Sequence, residues 1–300
     1  MKKFKYLLSF ILIIISYSTR ANITLLARLE KGKIYMVKSV SHQILKQSGF
    51  AQGTTETFSK NVLSLKLINL NNDIMTLEVS FDTVEIKTIS SGGKREVYFV
   101  KPAQKDDYMG KIRNRFCFFK LAVKVSTSGK FMGFDNYKAF KDNVMSIIDS
   151  IPPVQKEKVQ KQAENLLLEM NLQSRIEPLF AYIPGKEINN GDKWESTYVN
   201  ASEQSNMLMS NNYTLDGIEN NVVKISCNSE IESMPSSDSQ RSIKAKGLAT
   251  SKFDVNLTTG LLLKVQTKSH VEGFAIVNVQ GNEMKIPILA DTDTEIVNLK

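Results

Sequence analysis

The sequence is poor in the residues that usually carry chemistry. Its 300 residues include only two histidines, two cysteines and one tryptophan. His42 and His270 stand in no metal-ligand spacing, and no His-Glu-x-x-His, Cys-x-x-Cys or Gly-x-Ser-x-Gly pattern occurs. The reading is therefore no catalytic residue, no metal site and no cofactor. Two cysteines are also too few for a disulfide framework. Cys117 in "FCFFKLAVKV" and Cys227 in "VVKISCNSEI" share parity with apolar neighbours. They are expected either as two buried free thiols or as one bond between the halves of the chain. A buried, apolar thiol has a raised pKa and is inert, which argues against a cysteine nucleophile.

Long hydrophobic runs are missing everywhere but at the start. There, "MKKFKY" is basic, "LLSFILIII" (7–15) is apolar and "SYSTRA" ends in small residues. That is the anatomy of a secretory leader, and it falls short of the roughly 20 apolar residues that cross a bilayer. Cleavage is expected after Ala21, with a cut after Ser18 as the alternative. No cysteine stands at the cleavage site, the first being Cys117, so a lipoprotein is not expected. The reading is a chain exported to the periplasm or beyond, soluble, with no integral membrane segment after residues 1–21.

Charge of one sign is thin as well. Lys2, Lys3, Lys5 and Arg20 fall in the leader, so the formal excess of +8 drops to about +4 without it, far from the dense basic patch of a nucleic-acid reader. Nucleic acid is excluded as an expected partner.

What the sequence does have is alternation with a period of two. "NVLSLKLINL" and "IMTLEVSF" flank Asn71-Asn72-Asp73, and "FDTVEIKTIS" and "REVYFV" flank Ser91-Gly92-Gly93; both read as hairpins. Apolar parity slips between Phe81 and Val84, which predicts a bulge near Asp82-Thr83 and a bent sheet. "FCFFKLAVKV" reads as a strand that extends back through Lys111, Arg113 and Arg115. Helical spacing then appears at Tyr137, Phe140, Val144 and Ile147, and again at Val159, Ala163, Leu166 and Met170, either side of Pro152-Pro153. Strands resume near Lys193, and "SMPSSDSQRS" (233–242) reads as a polar loop.

The fold class is thus mainly β (α+β): two curved antiparallel half-units joined by two helices, near 135–149 and 154–176. The boundaries are 1–21 leader, 22–134 first β unit, 135–182 helical connection and 183–300 second β unit. Each half opens on aliphatic-x-x-Gly-x-x-aromatic, "LEKGKIY" (29–35) and "INNGDKW" (188–194), and each later crosses a Ser/Thr-Gly turn, at Gly129 and Gly260. Two copies of one unit would produce this; the pattern is also common by chance.

Pro184, Gly191, Asp192 and Trp194, followed by Asp254, Thr259 and Gly260 in "FDVNLTTGLLLKV", resemble the motifs of an uncharacterised domain family of Gram-negative cell-envelope proteins. The resemblance implies a β-rich fold with a central helix and an envelope location, and no activity. Many of its members look like lipoproteins, which this chain does not.

The remaining candidates are weaker. Ser91-Gly92-Gly93-Lys94 lacks phosphate-loop spacing and is followed by a strand. Asp291, Asp293 and Glu295 share a strand face at about 6.6 Å intervals, too far apart to converge on one calcium, and read as an acidic strand edge that discourages aggregation. A strand face that is basic at Lys111, Arg113 and Arg115 and apolar at Leu121 and Val123 would suit an amphipathic anion, with cations at the rim and Trp194 as a second contact. The functional reading is a non-enzymatic envelope protein that binds a lipid or other amphipathic ligand in a curved sheet. The alternative is a structural module that binds an envelope protein partner, and a third reading is a hydrolase using scattered Ser, Asp and His270.

Overall fold

The computed structural model of the protein describes residues 22–49, 52–98, 107–201, 206–234, 241–279 and 282–299. The expected leader lies outside these residues, as do positions 235–240 and Gly281 of two expected turns. In chain order the first half contains β1 (Ile23–Thr24), β2 (Ile34–Gln47), β3 (Gly53–Asn71), β4 (Ile74–Ser90), β5 (Gly93–Tyr98), α1 (Tyr108–Phe118), β6 (Leu121–Ser126) and β7 (Phe131–Phe134). Helices α2 (Tyr137–Met145), α3 (Pro153–Leu166) and α4 (Glu169–Ile176) follow. The second half contains β8 (Glu187–Ile188), β9 (Lys193–Ala201), β10 (Asn206–Glu219), β11 (Val222–Ser233), β12 (Arg241–Asn256), β13 (Leu262–Val279) and β14 (Asn282–Leu299).

Both halves build one open, antiparallel, 12-stranded sheet in the order β7-β6-β4-β3-β2-β14-β13-β12-β11-β10-β9, with β5 also on β4. The last strand, β14, pairs with β2 and forms the seam between the halves. A small second sheet pairs β1 with β8. The expected bulge is present: Leu63 pairs with Phe81 and Val62 with Thr83, so Asp82 is the extra residue. Its carboxylate accepts from the hydroxyls of Ser64 and Ser80, which holds the bend.

The sheet is curled around the helices. Helix α4 touches strands near both flanks: Ser174 Oγ donates to the carbonyl of Ala201 in β9 at 3.2 Å, while the Arg175 guanidinium lies 6.0 Å from the Phe81 ring in β4. Beneath the helices a single apolar core joins Leu77, Val79 and Leu121 of the first half to Leu215, Val223 and Val255 of the second, with Phe140, Leu172 and Tyr182 between them. Each such side chain contributes about 1.5–3 kcal/mol by leaving water.

One element departs from the expected strands. Residues 108–118 form α1, because Asp107 caps the helix by accepting from the Gly110 amide at 2.8 Å and Ile112 and Phe116 recur at a spacing of four. Helical period, not strand parity, decides which side chains are buried there. The connection also holds one helix more than expected, since the segment near 154–176 breaks at Leu167-Leu168 into α3 and α4.

The recurrence between the halves extends to the backbone. The Gly32 amide donates to the Leu67 carbonyl at 3.0 Å, and the Gly191 amide donates to the Leu215 carbonyl at 2.8 Å. A register shift follows each acceptor, before Asn69 and before Gly217. The next turns, Asn72-Asp73 and Asn220-Asn221, both have positive φ, the hairpin geometry that matches strand twist. Gly129 then sits between β6 and β7, and Gly260 between β12 and β13.

Those two turns are held reciprocally. A Cβ at Gly129 would strike the Phe180 carbonyl and Ile183, in the lead-in to the second half. A Cβ at Gly260 would strike the Leu26 carbonyl, in the lead-in to the first. Positive φ, 84° and 66°, adds to the requirement for glycine. The first lead-in is fixed between both turns, with Ala27 N–H donating to Thr127 O and Arg28 N–H to Thr259 O, each at 2.8 Å.

Candidate functional site: the open inner face of the sheet

Away from the helices the long strands continue, and their inner face is mostly buried on β10 to β12 and half-buried on β13, β14, β2 and β3. Pairing registers assign each side chain to a row across this face. The row Leu215–Ile225–Phe253–Val265–Ile296 belongs to the core. The next holds Cys227, Ser251, Thr267, Thr294, Ser41 and Ser59, and the one after it Asn211, Ser229, Ala249, Ser269, Thr292, Gln43 and Thr57. Beyond these polar rows the face turns apolar again, with Met209, Ile231, Gly247, Val271, Ala290 and Leu45.

The polar rows are hydrogen-bonded across the strands. Ser251 and Thr267 hydroxyls lie 2.8 Å apart, as do those of Ser41 and Ser59; Gln43 Nε2 donates to Thr292 Oγ1 at 3.2 Å, and Ser229 Oγ donates to Asn211 Oδ1 at 2.7 Å. Glycines also occur in the rows above. At Gly247 a Cβ would meet the His270 carbonyl, and at Gly273 the Lys244 carbonyl, so neighbouring backbone comes closer than any side chain allows.

The outer face of the same strands is charged. His270 Nδ1 lies 2.6 Å from Asp291 and Nε2 2.9 Å from Glu272. These bonds, the one to Asp291 foremost, raise the His270 pKa above its ordinary value. With both ring nitrogens held by carboxylates, no lone pair is left to activate a hydroxyl. Glu295 pairs with Lys264 at 2.8 Å, and that hydrogen bond holds its carboxyl below the usual range. The acidic run 291–295 is therefore not a sheet edge, as its sequence suggested, but part of a charge ladder on the central strand β14.

The residues singled out from the sequence do not share a strand face. Leu121 and Val123 are fully buried in the core. Lys111, Arg113 and Arg115 belong to α1; Lys111 and Arg115 line a shallow cleft with Asn114, Ser146, Ile147 and Ser150. Arg115 there donates to the Asn143 carbonyl at 2.9 Å and to Ser146 Oγ, while Lys111 lies over the Tyr108 ring. Trp194 is on β9, at the opposite flank from β6, stacked on Tyr213 and donating to the Tyr182 carbonyl at 3.0 Å. Cys117 and Cys227 are buried free thiols; burial pushes Cys117 up to about 12 and raises Cys227. The hydroxyl rows went unnoticed in the sequence. Ser and Thr alternating with charge read as an ordinary solvated strand, and only pairing across the seam lines up Gln43 with Thr292.

No helix among the described residues is long and apolar enough to cross a membrane. Residues 72–262 match a family of unknown function (DUF6263), and the chain belongs to that family. No curated protein matches it. Among solved structures, a lipovitellin structure on lipid–protein interactions overlays at TM-score 0.47 and 9% identity, covering 90% of this chain but 25% of that one. An outer membrane channel from Pseudomonas putida F1 overlays at TM-score 0.25 and 7% identity, covering 91% and 97% of the two chains. Overlays this loose carry no functional information.

Proposed function

We propose that this family member is a non-enzymatic cell-envelope protein, exported by residues 1–21, that holds an apolar or amphipathic molecule on the open inner face of its sheet. Residues 22–134 and 183–300 act as the two β units and 135–182 as the helical connection that fills one end. The observation that carries the reading is the order of the rows: core, then hydrogen-bonded hydroxyls, then half-buried Met209, Val271, Ala290 and Leu45. Apolar surface with a few placed polar groups is the usual composition of a ligand site.

Native mass spectrometry of protein purified from its own envelope tests this. A lipid-sized adduct is expected, and Val271→Asp or Ala290→Asp should remove it while the protein stays folded. Protein that is always empty would refute the reading. A second reading has one observation in its favour: among the described residues, β9 is paired on one side only, by β10. Its free backbone edge could accept a strand from an envelope partner, and empty protein with a reproducible stoichiometric partner would favour it.

A further inference from the structure

Given the reading that the open inner face holds a ligand, we infer that its preferred occupant is an uncharged lipid bearing hydroxyl or ester oxygens, of the class of a monoacylglycerol, and not an anionic amphiphile. The distribution of charge carries this. Beyond the core, the strands β12, β13, β14, β2 and β3 direct Ile243, Ala245, Ser251, Thr267, Ser269 and their row-mates inward, and none of these inward positions is charged. The same strands direct Lys246, Lys268, His270, Asp291, Asp293 and Glu295 outward. Over the rows from Ile243 to Ser251, the charge of these strands is confined to the outer face.

The hydroxyl rows supply what a neutral headgroup needs. In the Ser251–Thr267 and Ser41–Ser59 pairs, one O–H is used within the pair and the other remains to donate. Thr292 accepts from Gln43 and keeps its own O–H. Each row thus offers donors and acceptors together, which suits glycerol hydroxyls and ester carbonyls. A carboxylate would give up water there for neutral hydroxyls alone, and an ion moved from water without a countercharge is strongly disfavoured.

The small, half-buried side chains of Ala275 and Ala290 leave room for an acyl chain along the strands, whereas the space at Gly247 and Gly273 is taken by neighbouring backbone. Arg175 does not serve this face, since it lies over Phe81 at the helix-packed end.

The test is direct binding of monoolein, oleate and hexadecane to delipidated full-length mature protein, at pH 8 and moderate salt. Monoolein should bind at least about tenfold more tightly than oleate, the measure of one uncompensated charge–solvent exchange. Ser269→Ala with Thr292→Val should weaken monoolein about fivefold, in line with one lost hydrogen bond, and leave hexadecane unchanged. Oleate binding as tightly as monoolein would overturn the inference while leaving the lipid-binding reading in place. So would an unchanged monoolein affinity in the double variant. Failure of all three probes to bind would overturn both.

Discussion

The helix-packed end of the sheet and its open end are made from the same strands, yet they obey different rules. At the packed end, residues inside one row are large and fully buried, as with Leu65, Val79 and Leu121. At the open end, rows of the same strands mix hydroxyls, small residues and scattered larger apolar side chains, mostly buried on β10 to β12 and half-buried on β13, β14, β2 and β3. Strand alternation is preserved throughout, so the difference lies in side-chain size and polarity, not in secondary structure. A chain that needed only a stable sheet would gain from continuing the large apolar rows or from making both faces charged. This one does neither on its inner face.

The comparison can be broken most strongly at the packed end. Phe140→Ala, at a fully buried position beneath the sheet, should cost about 3–5 kcal/mol in urea unfolding, whereas Leu45→Ala on the open face should cost about 1 kcal/mol. Equal losses would mean the open face is packed as a core. Next in size, Gly260→Val should cost about 3 kcal/mol, since overpacking here is aggravated by positive φ. Hydrogen exchange should then show residues 22–29 losing protection before the sheet does. Val271→Asp should cost about 1 kcal/mol on a half-exposed strand position, and on the proposed reading its main effect would be to remove lipid binding.

The smallest effect expected is on the outer face. His270 is fully exposed, and its raised folded pKa means that its contribution is complete below the unfolded value and fades as pH rises through the folded one. Titration of the His270 ring by NMR should give a midpoint above the free-histidine value of about 6.5, and Asp291→Asn should lower it. A midpoint unmoved by that change would mean the 2.6 Å contact does not hold in solution.

Much of the frame was legible in the residues themselves. Period-two runs located β3, β4 and β10 to β14, the parity slip located the bulge at Asp82, and the paired glycines located two equivalent turns. These signals are local, and local physics writes them into adjacent residues. Helix α1 was missed because its strand-like parity ran without interruption into Leu121. The site was missed for a different reason. Leu121 and Val123 look like any apolar strand face until the helices that cover them are in place. The hydroxyl rows exist only through pairings such as Gln43 with Thr292, whose sequence separation no periodicity can bridge.

The position of β14 has a consequence for how this protein is made. Among the described strands β14 is made after all the others yet stands in the middle of the sheet, so before it is made the two halves have strands to pair but no seam. Until residues 282–299 arrive, β2 and β13 each expose a long strand edge of the kind that recruits other chains. A product clipped just before Asn282 would therefore lose its centre, not its rim, and would be left as two half-sheets open to aggregation.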